Sequence, residues 1–483
     1  MLLRNLRISG TDGGLVDILP INGTIASITP AAARSASAQT LGLDLEGRWV
    51  SPGLWDNHVH FSQWALVQQR LDVSTASSAR EAAAMVARAL EDADPQPGPF
   101  IGYGFRDALW PDTPTVAVLD AAGGARPVVL VSGDIHTVWL NSAALSLFGH
   151  AGHPTGILVE DPAFAVTRHL GIVADEVLDR WVESASKAAA ARGVVGIVDL
   201  EMDWNLDTWS RRIEGGNRSL RVEFGVYAQH LERAIELGLR SGQKINDLLT
   251  VGPLKLITDG SLNTRTAYCF DEYPGLAGAE HPRGMLTLPP EELLPLMRRG
   301  AEAGLLPTVH AIGDNANSLA LDAFAEIGMG GRIEHAQLLA ERDLARFGQL
   351  GVVASVQPDH ALDDRDVADH YWAGRTGRAF AMRGLLEAGA TLAMGSDAPV
   401  SPLDPWNTAA AAVTRSRGER EPWHPEQRIS VAQALAASTR TTVEVGQPAD
   451  LVITDVDPLA VDDLRGVTVS ATLLGGSFTH RAL

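Results

Sequence analysis

The sequence predicts an α/β protein, a (β/α)8 TIM barrel with a small β-sandwich domain built from both termini. Three observations carry that expectation. Between Pro52 and about Arg440, short apolar strands alternate with helical stretches, the pattern of a parallel sheet. The chain has 483 residues, and barrels with insertions run from roughly 200 to over 400. Both ends carry strands and glycine turns without helices, and such meanders cannot bury an apolar face alone.

At the amino end, Leu2 to Ile8, Leu15 to Ile18, Thr24 to Ile28 and Leu43 to Val50 read as strands, with Gly13-Gly14 and Asn22-Gly23 as turn signals. Ala31 to Gln39 is Ala/Ser-rich and reads as a loop. At the carboxyl end, Asp450 to Thr454 and Val467 to Leu474 are strands, and Gly475-Gly476 turns the chain into Ser477 to His480. Pairing the two sets covers two otherwise incomplete sheets. The expected division is residues 1-51 plus 443-483 for the sandwich and 52-442 for the barrel.

Within the middle, the strands include Val128 to Val131, Val194 to Leu200, Leu254 to Ile257, Leu306 to His310, Arg332 to His335, Val352 to Val356 and Thr391 to Met394. Helical stretches lie between them: Ser78 to Glu91, Ala174 to Ala191, Leu231 to Leu239, Pro290 to Ala303, Asn315 to Ile327 and Ala340 to Gln349. A doubly wound sheet would show a Gly-rich phosphate loop after its first strand. Gly102 to Asp107 begins like one but lacks the third glycine, and reads as a loop. About 70-156 is too long for one βα unit and reads as an insertion over the barrel mouth, a small lid. It contains Pro95-Gln96-Pro97-Gly98-Pro99 and the aromatic group Tyr103, Phe105 and Trp110.

Composition narrows the function. Hydrophobic residues make up 45% and charged residues 20%, an ordinary globular balance. The net charge of -20 argues against nucleic acid or an anionic membrane as partner, because both need basic patches. The single cysteine, Cys269, excludes an intrachain disulfide and a Cys-rich zinc knuckle. Met1 to Arg7 carries charges where a signal peptide needs its apolar region. No apolar run reaches the ~18 residues of a membrane helix. The expectation is a soluble, cytoplasmic protein acting on a small molecule, its oligomeric state open.

Chemistry concentrates at strand ends, where barrels place their active sites. His58 and His60 stand two apart on one strand, and residues i and i+2 share a face. Two imidazoles there can hold one metal ion. Lys255 sits inside an apolar strand, and His310, His335 and Asp397 end three others. Each has a plainer alternative. His310 can be a satisfied core histidine, and Glu334-His335 a surface pair. Asp397 can start a turn, and Lys255 can pair with Asp259. Together, at one end of separate strands, they form the joint signature of a metal site.

These motifs resemble the amidohydrolase superfamily of metal-dependent hydrolases, and most of all the branch that includes N-substituted formamide deformylases. The resemblance covers nearly the whole chain. It rests on Gly53 to His60, Gly133 to Ser142, Lys255 to Ala267, His310 to Asp314, Arg332 to Gln337, Ser355 to Pro358, Gly395 to Pro399 and Gly446 to Val452. It implies an amidohydrolase-type barrel with one or two divalent ions, zinc the usual identity. His58, His60 and Asp397 would hold one ion. His310 and His335 would hold the second, with Lys255 bridging both as its N-carboxylated form. His136 resembles the family's loop histidine and would contact substrate, a solvent-exposed loop position being the alternative; His360, after Gln357-Pro358, is placed to face the site from a neighbouring strand, again with a plainer alternative. Trp64 and Trp110 are available to wall the pocket, with a core position the alternative for each. Three places depart from the pattern: Asn315 replaces a usual arginine, Asp359 replaces a small residue, and the chain is short between Arg440 and Gly446.

The reaction this implies is hydrolysis of a C–N bond, in an amide or an N-formyl or N-acyl amine, with Asp397 as general base and then acid. The alternatives are a mononuclear deaminase or cyclic-amide hydrolase with Lys255 unmodified, and a catalytically inactive binding protein on the same scaffold. The sequence has neither a Gly-x-Ser-x-Gly elbow nor a His-Glu-x-x-His helix, which disfavours serine hydrolases and zincins.

Overall fold

The structure is a computed structural model and describes residues 1-33, 42-92, 98-170 and 173-483. Most of the Ala/Ser-rich stretch read as a loop, and Pro95 to Pro97, lie outside the described residues.

Eight parallel strands form the central sheet: Leu54–Val59, Val194–Asp199, Arg221–Tyr227, Leu249–Ile257, Pro307–Ala311, Gly331–His335, Val352–Val356 and Leu392–Met394. They pair in sequence order, as right-handed βα connections produce. The first and last strands meet through a Val59–Ala398 bridge and through Asp397 N–H donating to the His58 carbonyl at 2.7 Å. Gly395 makes that seam: a Cβ there would lie 2.5 Å from the His58 nitrogen. Arg221–Tyr227 escaped the sequence reading. Its Arg-Val-Glu-Phe alternation looks half-exposed, and Gly225 interrupts it.

The helices close as their ends dictate. Pro290–Ala303 starts with proline in its first turn and Glu291-Glu292 beside it, and stops at Gly304 with φ 83°. Asp314–Ile327 likewise stops at Gly328 with φ 64°. The helix expected over Ala340 to Gln349 is shorter, Leu344–Leu350, behind a 3₁₀ turn at Glu341–Asp343.

The terminal strands join. Trp49–Pro52 pairs with Leu2–Ile8 on one side and antiparallel with Leu451–Thr454 on the other. The expected strand Leu43 to Val50 is two pieces, Gly42–Asp44 and Trp49–Pro52, both paired to Leu2–Ile8. Leu451 and Ile453 face the core of this small sheet with Leu3, Leu6 and Ile18, while Val452 packs into the barrel core. That double burial is why the strand is apolar throughout. Arg221 in the barrel clamps Asp450 through two hydrogen bonds of 2.7 and 3.0 Å.

The insertion is larger than expected. Its five-stranded sheet starts at Leu71–Asp72 and ends at Ile157–Val159, and the helix Asp161–Leu170 follows. Two expectations are corrected here. Val128–Ser132 belongs to this sheet and not to the barrel. Phe100–Phe105 is a strand and not a loop, paired in parallel with its neighbours on both sides. Its Gly102 serves close packing, because a Cβ there would meet the Leu130 side chain at 2.5 Å. Among the described residues, no helix is long and apolar enough to cross a membrane.

Candidate metal centre and active site

A cavity of about 330 Å³ opens at the C-terminal end of the barrel strands. His58, His60, Lys255, His310, His335 and Asp397 all line it, as do His136 and His360. Trp110 does not. Its ring packs on Phe105 and its indole N–H donates to the Ala76 carbonyl, so it belongs to the insertion's core. The pocket-wall expectation for Trp110 does not match that placement. Trp64 packs against the barrel core.

Asp397 is the centre of the cluster. Its Oδ1 lies 3.3 Å from His58 Nε2 and 3.4 Å from His60 Nε2, and its Oδ2 lies 3.9 Å from His335 Nδ1 and from His360 Nε2. Burial opposes its charge, but His58, His60 and His335 hold its pKa well below the ordinary carboxylate value. Two sets of donor atoms lie close enough to share an ion: His58, His60 and Asp397, and His335, His360 and Asp397.

Three of the imidazoles are pushed toward the neutral form that ligation requires. Burial, and in each case also the neighbouring Lys255, lowers the pKa of His58, His310 and His335. His60 differs: burial lowers it, but the Asp397 hydrogen bond and charge prevail and raise it. The buried nitrogens His60 Nδ1 and His360 Nε2 have no hydrogen-bond partner. Unpartnered ring nitrogens, neutral imidazoles and a shared ionised carboxylate fit a divalent cation.

Lys255 is buried in its strand, and burial lowers its pKa to about 8 against the opposing pull of Glu334 and Asp397. Asp259 is not its ion-pair partner. That carboxylate accepts the backbone amides of Tyr268, Ile312 and Gly313, at 2.8, 3.0 and 2.9 Å. His310 sits at the same end, its ring 4.4 Å from that of His335, with Nε2 3.5 Å from the Gly260 carbonyl. Both Lys255 and His310 line the cavity, and His310 joins neither close donor set.

The sequence reading missed the shell behind these groups. Glu334 is fully buried, accepts from His58 Nδ1 at 2.7 Å and Thr308 at 2.6 Å, and forms an ion pair with Arg332 at 3.0 Å. The His58 contact turns Nε2 toward Asp397. A carboxylate inside a strand of a parallel sheet was the available signal, since it needs partners there. Gln357 Oε1 lies 2.9 Å from His335 Nδ1, and Asp56 accepts the amides of His58 and Ser396.

The insertion closes the cavity with two polar bridges. In the first, Asp134 Oδ2 accepts from Ser261 at 3.0 Å, and Glu160 Oε1 accepts from Thr264 and Thr266 at 3.0 and 2.8 Å. Glu160 Oε2 also holds His136 Nδ1 at 2.8 Å. Burial alone would lower the His136 pKa, but Glu160, Asp134 and Asp397 raise it to about 9. In the second, Arg106 donates to Asp363, Asp364 and the Val400 carbonyl. Asp359, one departure from the pattern, turns away to Arg417 and Thr408.

A closed parallel barrel with histidines and a carboxylate gathered at its C-terminal rim is the architecture of a metal-dependent hydrolase. The amidohydrolase family model matches residues 42–480, and the chain belongs to that family. It is 31% identical over 439 residues to Protein LONG AFTER FAR-RED 3 of Arabidopsis thaliana, covering 83% of this chain and 74% of that protein. It is 25% identical to an N-substituted formamide deformylase of Arthrobacter pascens, over 96% of this chain and 93% of that one. Among solved structures, an uncharacterized metal-dependent hydrolase from Pyrococcus horikoshii superposes with a TM-score of 0.80 at 25% identity, covering 96% of this chain and 99% of its own.

Proposed function

We propose that the protein hydrolyses a C–N bond in a small molecule, an amide or an N-formyl or N-acyl amine, with Asp397 carrying the proton. The observation that carries this reading is the buried Asp397 carboxylate, ringed by four imidazoles in a cavity of substrate size. A divalent cation, zinc being suited to imidazole and carboxylate donors, would supply Lewis acidity that activates water and polarises a carbonyl. His58, His60 and Asp397 would hold one ion. His310, His335 and Lys255 would hold a second.

The chain's own groups do the rest. Asp397 is ionised at neutral pH and accepts a proton from the attacking water at a carboxylate oxygen. It then returns that proton to the nitrogen of the departing amine. Lys255, with its pKa brought down to about 8, has free amine available near neutrality. That neutral amine attacks CO₂, an N–C bond forms and the nitrogen loses one proton, so that the carbamate carries one negative charge and would suit cationic neighbours. His136, from the insertion, and His360, after the seventh barrel strand, line the cavity and would contact the substrate.

One observation favours a second reading, a mononuclear enzyme with Lys255 unmodified. His335 groups with His360 and Asp397, while His310 stands outside both donor sets. Metal content per chain and a native mass spectrum, with or without one added CO₂, separate the two. For function itself, a panel of N-formyl and N-acyl amines should release acid and amine with the metal-loaded protein. Lys255→Ala should lose most activity, and short carboxylic acids should restore part of it. Full activity in Lys255→Ala with two ions still bound would eliminate the carbamate.

A further inference from the structure

A second cavity, of about 490 Å³, lies beside the first, between the insertion and the segments that follow the first two barrel strands. Ile135, Phe164 and Met202 line both cavities. The partition is thus three apolar side chains, none of them in the histidine cluster. Beyond it the apolar walls are Leu66, Val67, Val131 and Leu178, and Pro399 stands two residues from Asp397.

Most polar groups around this second space are engaged by one another, the buried Arg212 Nη1 being an exception. Gln63 donates to Glu201 at 2.8 Å. Arg212 holds Asp179 and Ser62, at 2.9 and 3.0 Å. Arg211 pairs with Asp175 and Asp179, and Arg70 donates to the Leu170 carbonyl. Most of the surface these walls leave for a ligand is apolar. The first cavity holds the histidine cluster, and Arg106, His136, Glu160 and Asp364 stand in its lining.

Ile135 adds an independent observation. It is β-branched and has φ 60°, a left-handed conformation such residues avoid. The turn that imposes it is tied by Ile135 N–H donating to the Ser132 carbonyl at 3.1 Å and by Asp134 accepting from His136 N–H at 3.2 Å. Such outliers cluster where a side chain must be aimed. Here it is aimed at the wall between the two spaces.

We propose that the second cavity is a substrate subsite for an uncharged alkyl or aryl group, entered from the first past Ile135, Phe164 and Met202. The substrate of this hydrolase is then bipartite: a polar part faces His136 and Arg106, and an apolar part extends past the partition. This rests on the C–N hydrolase reading for its chemistry, but its test includes binding alone.

Two series of substrates test it, N-formyl amines of increasing alkyl length and N-acyl amines of increasing acyl length. With the metal-loaded protein, kcat/KM should rise with length in one series, by up to about fourfold per methylene while carbon is being buried. Val67→Trp and Thr167→Trp fill only the second cavity, and each should abolish the advantage of long over short substrates. Circular dichroism and thermal melts confirm folding, and two variants on different helices guard against the failure of one. No rise with length in the parent, or the same rise in both variants, overturns the proposal. If no amide in either series is cleaved, the C–N reading fails separately, and calorimetry with octanamide decides. Binding that weakens tenfold or more in the variants sustains the subsite. Equal or absent binding overturns it.

Discussion

Asp397, His335 and Ala336 all have positive φ, at 57°, 75° and 44°. Left-handed backbone at non-glycine residues costs on the order of 1–3 kcal/mol and persists where surroundings impose it. Here it has a stereochemical result. Adjacent strand residues normally point to opposite faces, yet Glu334 reaches His58 while His335 joins Asp397. Glu334→Gln should therefore weaken metal binding by about 10- to 100-fold, since it removes the group that orients a ligand. Competition with a chelator measures it, and unchanged affinity would reduce Glu334 to a packing role. A second expectation concerns His136. Its pKa is raised to about 9, so it stays protonated through neutrality and loses its charge as pH rises through that value. The stability it gains from Glu160 is full below its ordinary value near 6.5 and vanishes above about 9. Glu160→Gln should move the imidazole titration, followed by NMR, down toward 6.5. At this scale the sequence displayed His58 and His60, because a strand's period of two is written in the spacing. It hid Glu334, whose partner His58 stands 276 positions away. It also could not show that Trp110 turns inward to Ala76.

Among the elements, the seam between the first and last barrel strands carries the most consequence. Leu392–Met394 is short, and its continuation, Gly395 to Ala398, completes the closure with hydrogen bonds to His58 and His60. Gly395→Ala would force a methyl against the His58 backbone and the Asp56 carboxylate, at 2.5 and 2.8 Å. The expected result is a lower melting temperature together with loss of metal, because the seam also sets His58 against Asp397. A melting curve and metal content that both match the parent would refute this. The alternation of strands and helices made most of the barrel legible, since each element advertises its own period. The insertion was less so. Phe100–Phe105 carries two glycines and no strict alternation, and only its neighbours on the sheet make it a strand. Tertiary pairing decided there what local pattern did not.

The whole molecule is held by its ends. The incompleteness of both terminal meanders was visible in the sequence, and their pairing followed from it. The size of the contact with the barrel did not, because Val452 and Thr472 read simply as strand residues. Arg221→Ala should lower stability by about 2 kcal/mol, the scale of hydrogen bonds to a charged group. Urea denaturation measures the change, and an unshifted midpoint would mean the clamp is ornamental. The same pairing governs synthesis. A ribosome makes Trp49–Pro52 early, but its partner Leu451–Thr454 emerges some 400 residues later. Asp397 also arrives late, after every histidine of the cluster. Until then the nascent chain exposes a strand edge and offers metal ions only a partial set of ligands. Closure of so long a loop is slow, and exposed edges invite association. Early folding of the insertion and the first barrel units would keep the growing chain apart from its neighbours, and the ligand set is complete only once Asp397 has been made.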